Sequence, residues 1–242
     1  TALDAQTGLT RGKPITKKPP VGAKPDPSVD FKDPLLRLVR RITMGLEPTE
    51  VARARQLGYY GYLEYHLNAP AIDDSVVDGL IAARMPLLAQ SSATLRTADG
   101  GEVYNQLADA ALLRAAVSRR QLKERMVEFW TDHFNILYEK VGYLKAADDR
   151  DVIRQFALGR FPDMVRASAN SPAMVLYLDQ NSSRTPTPNQ NYARELLELH
   201  TLGVDNFYTQ NDVAQLSRIL TGWTFNSNGV FVFQTSMHDK TA

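Results

Sequence analysis

The sequence predicts a mainly α-helical protein, a multi-helix domain with orthogonal or bundle-like packing that ends in a short C-terminal β-hairpin. From about residue 33 to residue 222, apolar residues recur at helical spacing between start and stop signals. Only residues 223–233 change to the alternating period of a strand. Hydrophobic residues make up 43% of the 242-residue chain and charged residues 23%, a composition typical of a globular protein with a sizeable core.

Residues 1–30 predict a flexible, proline-rich tail, followed by a helical domain over residues 31–242. The tail holds five of the thirteen prolines and no aromatic residue. Such a stretch buries too little apolar surface to offset the entropy lost when it becomes ordered. An extended arm that lies along a partner is the alternative interpretation.

Helix signals follow one another along the first half of the domain. Asp33 followed by Pro34 is typical of a helix start, and Pro86 should interrupt a later helix because its ring clashes with the preceding turn. The helices predicted in this half run from about 33 to 45, 48 to 58, 59 to 67, 73 or 74 to 86, and 102 to 117.

The second half begins with Ser118 and Gln121, whose spacing is that of a capping box and predicts a helix to about Lys140. Further helices are predicted over about 146–158, 163–169, 172–178, 189 or 191 to 203, and 211–222, with Asn211 as the cap of the last. Residues 223–225 and 230–233 should pair as a hairpin. Two strands alone are marginally stable in water, so we expect the full protein to continue past residue 242.

Charge and composition exclude several classes of protein. The chain has 28 basic and 27 acidic residues, and a net charge near +1 argues against a dedicated nucleic-acid binder. No apolar run approaches the length of a transmembrane helix. Because there is no cysteine, disulfides, thiolate catalysis and cysteine-ligated metal sites are excluded.

His133 is the first candidate for chemistry. On a helical wheel it falls inside the apolar arc of the 118–140 helix, beside Met126 and Phe129. A buried imidazole needs a polar partner, so some group from another element should reach it. It is either a core histidine bonded to one carbonyl or carboxylate, or a metal ligand or acid/base group.

A second group of candidates lies on the helix that starts near residue 189. The wheel places Glu195 and Glu198 on one side together with Asn191 and Arg194, whereas His200 faces the other way and is expected to pack. The two carboxylates could hold a divalent metal with a ligand from elsewhere, such as His133 or His238. Alternatively, they lie on a solvated face or pair with Arg194.

His238 and Asp239 form a third candidate, directly after the hairpin. An adjacent histidine and aspartate in a loop can bind a metal or anchor a phosphate, but surface loops also carry such pairs by chance.

Several ordered motifs resemble a known family, the bacterial domain-of-unknown-function 1800 family. The motifs are Arg40-Arg41-Ile42-Thr43-Met44-Gly45, Glu124-Arg125-Met126, Phe129-Trp130-Thr131-Asp132-His133-Phe134, Arg150-Asp151-Val152-Ile153-Arg154, Ala157-Leu158-Gly159 with Phe161, Ser171-Pro172-Ala173-Met174 with Tyr177-Leu178-Asp179, Asn191-Tyr192-Ala193-Arg194-Glu195-Leu196 and Leu220-Thr221-Gly222-Trp223. The resemblance implies a mostly helical, often exported bacterial protein, commonly encoded beside a protein related to sulfatases, and it implies no established activity. Thr131 stands where many relatives place a further histidine.

The leading hypothesis from the sequence is an exported protein with a polar pocket that supports metal-assisted or acid/base chemistry. The residues expected to line this pocket are His133, Asn191, Arg194, Glu195, Glu198, His238 and Asp239. The alternative is a non-catalytic envelope scaffold that binds a partner protein, in which the same polar residues form hydrogen-bond networks of the core. Whether the chain is an enzyme stays open at this point.

Overall fold

The structure, a computed structural model, describes residues 32–204 and 207–241, so the tail predicted over residues 1–30 lies outside the described residues. The predicted fold class, mainly α with a C-terminal hairpin, is confirmed. The α-helices are α1 (Pro34–Ile42), α2 (Pro48–Leu67), α3 (Ser75–Arg84), α4 (Ser92–Leu95), α5 (Gly100–Val117), α6 (Gln121–His133), α7 (Tyr138–Val141), α8 (Leu144–Asp148), α9 (Arg154–Phe156), α10 (Phe161–Ala169), α11 (Pro172–Tyr177), α12 (Gln190–Leu197) and α13 (Gln210–Ile219).

Shorter helical turns connect some of these helices. Three are 3₁₀ turns, at Ala69–Ala71, Pro86–Ala89 and Gln180–Ser182, and two are π turns, at Asp149–Ile153 and Glu198–Leu202. The strands β1 (Trp223–Phe225) and β2 (Phe231–Phe233) pair antiparallel. In the described ranges, none of the helices is both long enough and apolar enough to cross a lipid bilayer.

Two of the predicted helix starts are confirmed in their capping geometry. Asp33 Oδ1 accepts a hydrogen bond from the backbone N–H of Leu35 at 2.8 Å. Asn189 Oδ1 accepts one from the backbone N–H of Asn191 at 2.9 Å. Each bond satisfies an amide of the first turn that has no partner within its helix, which is why these residue types begin helices.

At two other helix starts, the predicted capping residues are wrong. Ser118 Oγ donates to Asp74 Oδ2 at 2.6 Å instead of closing a capping box, and the Gln121 side chain accepts from the backbone N–H of Met44 at 2.8 Å. Tertiary contacts therefore occupy both side chains of the expected box. For α13, the cap is Thr209, which forms a capping box with Asp212, and not Asn211.

Helix α6 is shorter than predicted, because it ends at His133 and not near Lys140. The next residues, Phe134 and Ile136, are both buried, and a change of backbone direction after α6 permits this. Phe129, which the wheel places on the apolar arc, is 53% exposed, and Leu137, after the end of the helix, is 52% exposed. The predicted wheel therefore holds for the first turns of α6 and fails at its end.

The main core lies between α6 and the C-terminal half of the chain. Its fully buried members include Ile153, Met174 and Tyr192. A second cluster joins α1 and α2 to Leu122 of α6, and a third packs α4 and α5 against α8. Helix α6 contributes residues to two of these clusters and so joins them.

The hairpin is supported by its neighbours, as its marginal stability requires. β1 packs against α11 and against the turn at Gln180–Ser182. The buried side-chain amide of Gln180 donates to the carbonyl oxygen of Leu220 at 2.7 Å. The backbone N–H of Gly222 donates to the carbonyl oxygen of Ser183 at 3.1 Å. These bonds attach the start of the hairpin to the helical domain.

Candidate functional site

His133 lies at the end of α6, half-buried in an aromatic cluster. Its Nε2 is 3.2 Å from the main-chain carbonyl oxygen of His200, and because a carbonyl oxygen can only accept, Nε2 carries the proton. The rings around it, with centroids within 6.3 Å, are those of Phe129, Trp130, Phe134 and Phe161. These are the contacts of a packed histidine that is bonded to one carbonyl, one of the two predicted alternatives.

The candidates on α12 make contacts within the fold. Arg194 forms an ion pair with Glu198 at 3.0 Å and donates to Gln210 at 2.6 Å, so it links α12 to α13. Asn191 is exposed, and Glu195 is half-buried with no hydrogen bond or ion pair to its carboxylate in residues 32–204 and 207–241. The shared side predicted for Arg194 and Glu198 agrees with their ion pair.

His200, predicted to pack, has a buried ring 5.2 Å from the ring of Phe134. Burial, reinforced by the nearby His133, lowers the pKa of His200 to about 4. At neutral pH the imidazole is therefore uncharged, which suits its place in the core.

His238 and Asp239 hold the end of the described chain against α13. His238 Nδ1 is 2.9 Å from the carbonyl oxygen of Thr221, and the Asp239 carboxylate forms an ion pair with Arg218 at 2.8 Å. Hydrogen bonds from Arg218 and Thr241 hold the pKa of Asp239 well below its usual range. Among the residues that the structure describes, no three His, Asp or Glu side chains are placed to hold a metal ion. The predicted metal site stays a prediction, and these contacts give it no support.

The structure instead shows a cavity of about 420 Å³ that we call the α5–α6 cavity. It lies between α5, α6, the segment after α6, and the helical stretch that begins with α8, and it is partly open to solvent. Most of its surface is apolar. Its lining consists of Met44, Tyr104, Leu107, Ala108, Ala111, Leu112, Arg114, Ala115, Glu124, Val127, Glu128, Thr131, Asp132, Ile136, Tyr138, Lys145, Asp149 and Arg154.

The two ends of the α5–α6 cavity differ in chemistry. Arg114 lies near the end of α5 and Glu124 near the start of α6, so one end is charged. Tyr104 lies about 15 Å away along α5, at 1.5 Å per residue. Its ring is 5.0 Å from the ring of Tyr138, and these two tyrosines mark the other end. A group of charged residues therefore lies at one end of the cavity and a pair of tyrosines at the other.

At the charged end, one cation is paired and one is not. Arg154 Nη2 forms a buried ion pair with Glu124 Oε1 at 2.5 Å. The guanidinium of Arg114 has no hydrogen bond or ion pair to any side chain in the described ranges. Burial, and then the charge of Arg154, lowers the pKa of Arg114. Arg114 is thus a half-buried cation with free donors at the wall of the cavity.

Asp149 is the corresponding anion. Within residues 32–204 and 207–241, its carboxylate accepts no hydrogen bond and forms no ion pair. Burial raises the pKa of Asp149, although Arg154, Arg114 and Lys145 act in the opposite direction. The group is therefore closer to taking up a proton than an ordinary aspartate is.

A π turn brings Asp149 and Arg154 to the same side of their helix. On an α-helix, residues five apart lie about 140° from each other around the axis. Here the backbone N–H of Arg154 donates to the carbonyl oxygen of Asp149, a bond that spans five residues and places one residue above the other. Such single π turns occur frequently at functional sites.

Lys145 forms part of the wall, and its ammonium group lies close to a second buried carboxylate. Lys145 Nζ is 3.7 Å from Asp148 Oδ2, and neither atom has a hydrogen-bond partner in the part of the chain that the structure describes. Ser171 Oγ donates to the other carboxylate oxygen of Asp148 at 2.7 Å. Burial raises the pKa of Asp148.

The α5–α6 cavity is not indicated by the motifs or periodicity of the sequence. Glu124 and Arg154 both lie in motifs of the resembled family, and Glu124 is a carboxylate that is only 6% exposed on a largely buried helix. A charged residue within an apolar face was the available signal. Nothing in the spacing of Asp149 and Arg154 indicates that they share a face, because the wheel assumes an unbroken α-helix.

Comparison with known proteins agrees with the resemblance seen in the motifs. Residues 37–242 match a family described as "Protein of unknown function (DUF1800)". No curated protein and no solved structure matches the chain. Since the match covers most of the sequence, including every residue that lines the α5–α6 cavity, the chain belongs to the DUF1800 family.

Proposed function

We propose that the chain binds a small organic molecule in the α5–α6 cavity and that Asp149 exchanges a proton with that molecule. The observation that carries this proposal is the Asp149 carboxylate, which borders the cavity and has no bonded partner among the described residues. A carboxyl group whose pKa is raised by burial gives and takes protons closer to neutral pH, as groups with acid/base roles do.

The size and lining of the cavity support binding of a small molecule. A volume of about 420 Å³ falls within the range of small-molecule sites, which are mostly apolar with a few polar groups. Arg114, Glu124 and Arg154 form a charged group at one end, and Glu128, Thr131, Asp132 and Lys145 also line the cavity. The charged group at that end would therefore orient a ligand, and the apolar surface would contact the rest of it.

This proposal keeps the acid/base chemistry predicted from the sequence but places it at other residues. His133 is bonded to a carbonyl oxygen, and Glu198 is paired with Arg194. Asp149 has no such partner in the described ranges. Acid/base chemistry is therefore better supported at Asp149 than at His133 or Glu198. Glu195 also has no partner in the described ranges, but it does not line the α5–α6 cavity.

A cavity-filling substitution tests the location of the site. Ala108→Phe places a ring in the α5–α6 cavity, whereas Ala116→Phe adds the same ring to an exposed position of α5 that does not line it. Ligand-observed NMR with a panel of fragment-sized acids, amines and alcohols should detect binding to the wild type and to Ala116→Phe. The same fragments should lose binding to Ala108→Phe by at least about tenfold, since the ring occupies their space.

Two results would contradict the proposal. If fragments bind Ala108→Phe as well as the wild type, the site lies elsewhere. If no fragment binds the wild type, the alternative of a non-catalytic scaffold is favoured. Thermal unfolding of both variants shows whether either substitution has disrupted the fold.

Export and a sulfatase-related partner protein stay proposals that the family resemblance supports. The resembled family is often exported and commonly encoded beside such a protein. We propose on this basis that the chain acts in the cell envelope or periplasm, and that its cavity serves a molecule found there.

A further inference from the structure

Two opposite charges stand unpaired at one end of the α5–α6 cavity. In the residues that the structure describes, neither the Arg114 guanidinium nor the Asp149 carboxylate has a hydrogen bond or an ion pair within 4.0 Å, although both line the same cavity. Arg154, by contrast, is held by Glu124. A half-buried guanidinium without an acceptor loses solvation that an incoming acceptor can replace.

Most of the surface of the α5–α6 cavity is apolar. Most of the wall is made by short and branched apolar side chains, although Glu128, Thr131, Asp132 and Lys145 also line the cavity. The apolar residues are Leu107, Ala108, Ala111, Leu112, Ala115, Val127 and Ile136. A ligand that fits this surface carries one polar group at one end and an apolar body behind it.

We propose that the ligand is a small carboxylic acid with an apolar body, and that its carboxylate accepts hydrogen bonds from the Arg114 guanidinium and from the protonated carboxyl of Asp149. This inference rests on the proposed function and specifies its ligand class. Arginine offers paired N–H donors whose geometry matches a carboxylate. A protonated aspartate adds an O–H donor, and the apolar body lies towards Tyr104 and Tyr138.

The charges around Asp149 make this binding depend on pH. Asp149 is faced by Arg114 from α5, by Glu124 from α6, and by Lys145 and Arg154 from its own helical stretch. A bound carboxylate brings a second negative charge next to Asp149, and two adjacent carboxylates favour sharing one proton. Binding therefore takes up a proton, and affinity falls as pH rises.

Benzoate and benzamide are a matched pair of probes, since they have nearly the same shape and differ in charge. Isothermal titration calorimetry between pH 5.5 and 8.5 should show benzoate binding about tenfold more tightly than benzamide at the low end of this range. The affinity for benzoate should fall with rising pH, whereas the affinity for benzamide should stay level. Titrations in buffers of different ionisation enthalpy should show proton uptake with benzoate alone.

Variants assign this behaviour to the two residues. Arg114→Met should weaken benzoate binding by about tenfold or more and leave benzamide binding largely unchanged. Arg114→Lys retains the charge without the paired donors, so its affinity for benzoate should lie between those of the wild type and of Arg114→Met. Asp149→Asn should bind benzoate with little dependence on pH. Arg55→Met, at an exposed position of α2, is the control and should change nothing.

Each other outcome is decisive. Equal affinity for benzoate and benzamide, or full benzoate affinity in Arg114→Met, overturns the ligand class. The proposed function still stands in that case if Ala108→Phe abolishes binding of both probes. If neither probe binds but other fragments bind in the cavity, the ligand class is again wrong and the proposed function survives. Absence of any fragment binding overturns both.

Discussion

Glu50 is a buried carboxylate outside the α5–α6 cavity that is held by three side chains. It accepts hydrogen bonds from Tyr62 at 2.8 Å, from His66 Nε2 at 3.0 Å and from Arg53 at 3.2 Å. Burial alone would raise its pKa, but the hydrogen bonds from His66 and Tyr62 outweigh burial and bring the pKa of Glu50 down to about 2. The ionised form of this residue therefore stabilises the fold.

Glu50→Gln should destabilise the protein at neutral pH. The pKa of Glu50 falls from 4.5 to about 2 on folding, which corresponds to about 3 kcal/mol of unfolding free energy. Because the folded pKa is the lower one, this contribution is complete above pH 4.5 and is lost as pH falls towards 2. Urea unfolding should show that the free energy of unfolding of Glu50→Gln is well below that of the wild type at pH 7. The gap between the two proteins should be smaller near pH 3.

The control is Glu64→Gln, an exposed carboxylate on the same helix. It should change the free energy of unfolding by less than about 0.5 kcal/mol. A Glu50→Gln protein as stable as this control at pH 7 would show that the Glu50 network contributes little to stability.

At the scale of single residues, the sequence identified capping groups better than site groups. Asp33 and Asn189 were predictable because a cap acts on amides two or three residues away. Asp149 was not, since its importance depends on Arg114, 35 positions earlier in the sequence, and on a cavity that only packing creates. Local chemistry can be read from the sequence, whereas the meeting of distant groups cannot.

The break in α2 is the clearest feature at the scale of elements. Gly58 has a φ of 71° and a ψ of 176°, and it lets the first half of α2 turn so that Glu50 meets Tyr62 and His66 of the second half. A Cβ at this position would meet no atom within 4 Å. The backbone conformation alone therefore requires glycine here.

Two glycine-to-alanine substitutions should have opposite effects. Gly58→Ala should destabilise the protein by about 1–2 kcal/mol, because an L-residue is strained at positive φ. Gly79→Ala, at an exposed position inside α3 with open space around it, should stabilise by about 0.5–1 kcal/mol. Chemical denaturation of both variants measures the sign of each change in the free energy of unfolding. A Gly58→Ala protein at least as stable as the wild type would mean that α2 tolerates a straight course.

Helix existence was predictable along most of the chain, but helix ends and irregular turns were not. The end of α6 and the π turn at Asp149–Ile153 both depart from the regular wheel. Neither departure follows from local propensity. Each is set by which residues the neighbouring helices can bury, as with Phe134 and Ile136 after α6.

At the scale of the whole molecule, α6 connects the two halves of the fold. Leu122 belongs to the cluster formed with α1 and α2, and Val127 belongs to the main core with the C-terminal helices. Between them, Glu124 pairs with Arg154 from the far side of the α5–α6 cavity. This ion pair therefore both joins α6 to the helical stretch that follows it and borders the proposed site.

The Glu124–Arg154 pair should show strong coupling in a double-mutant cycle. Both side chains are largely buried, so removing one leaves a buried charge without its partner, which costs about 3–5 kcal/mol. Glu124→Met leaves Arg154 near the cations of Arg114 and Lys123, which adds repulsion. The double variant Glu124→Met/Arg154→Met removes both charges and should recover most of the lost stability. Urea unfolding of the four proteins measures the coupling.

The exposed pair of Asp163 and Arg166 is the control, and Asp163→Ala should lower the free energy of unfolding by less than about 1 kcal/mol. Additive effects of the two methionine substitutions would show instead that each charge is solvated through the cavity, in which case the charged end of the cavity is open to water and not closed by this pair.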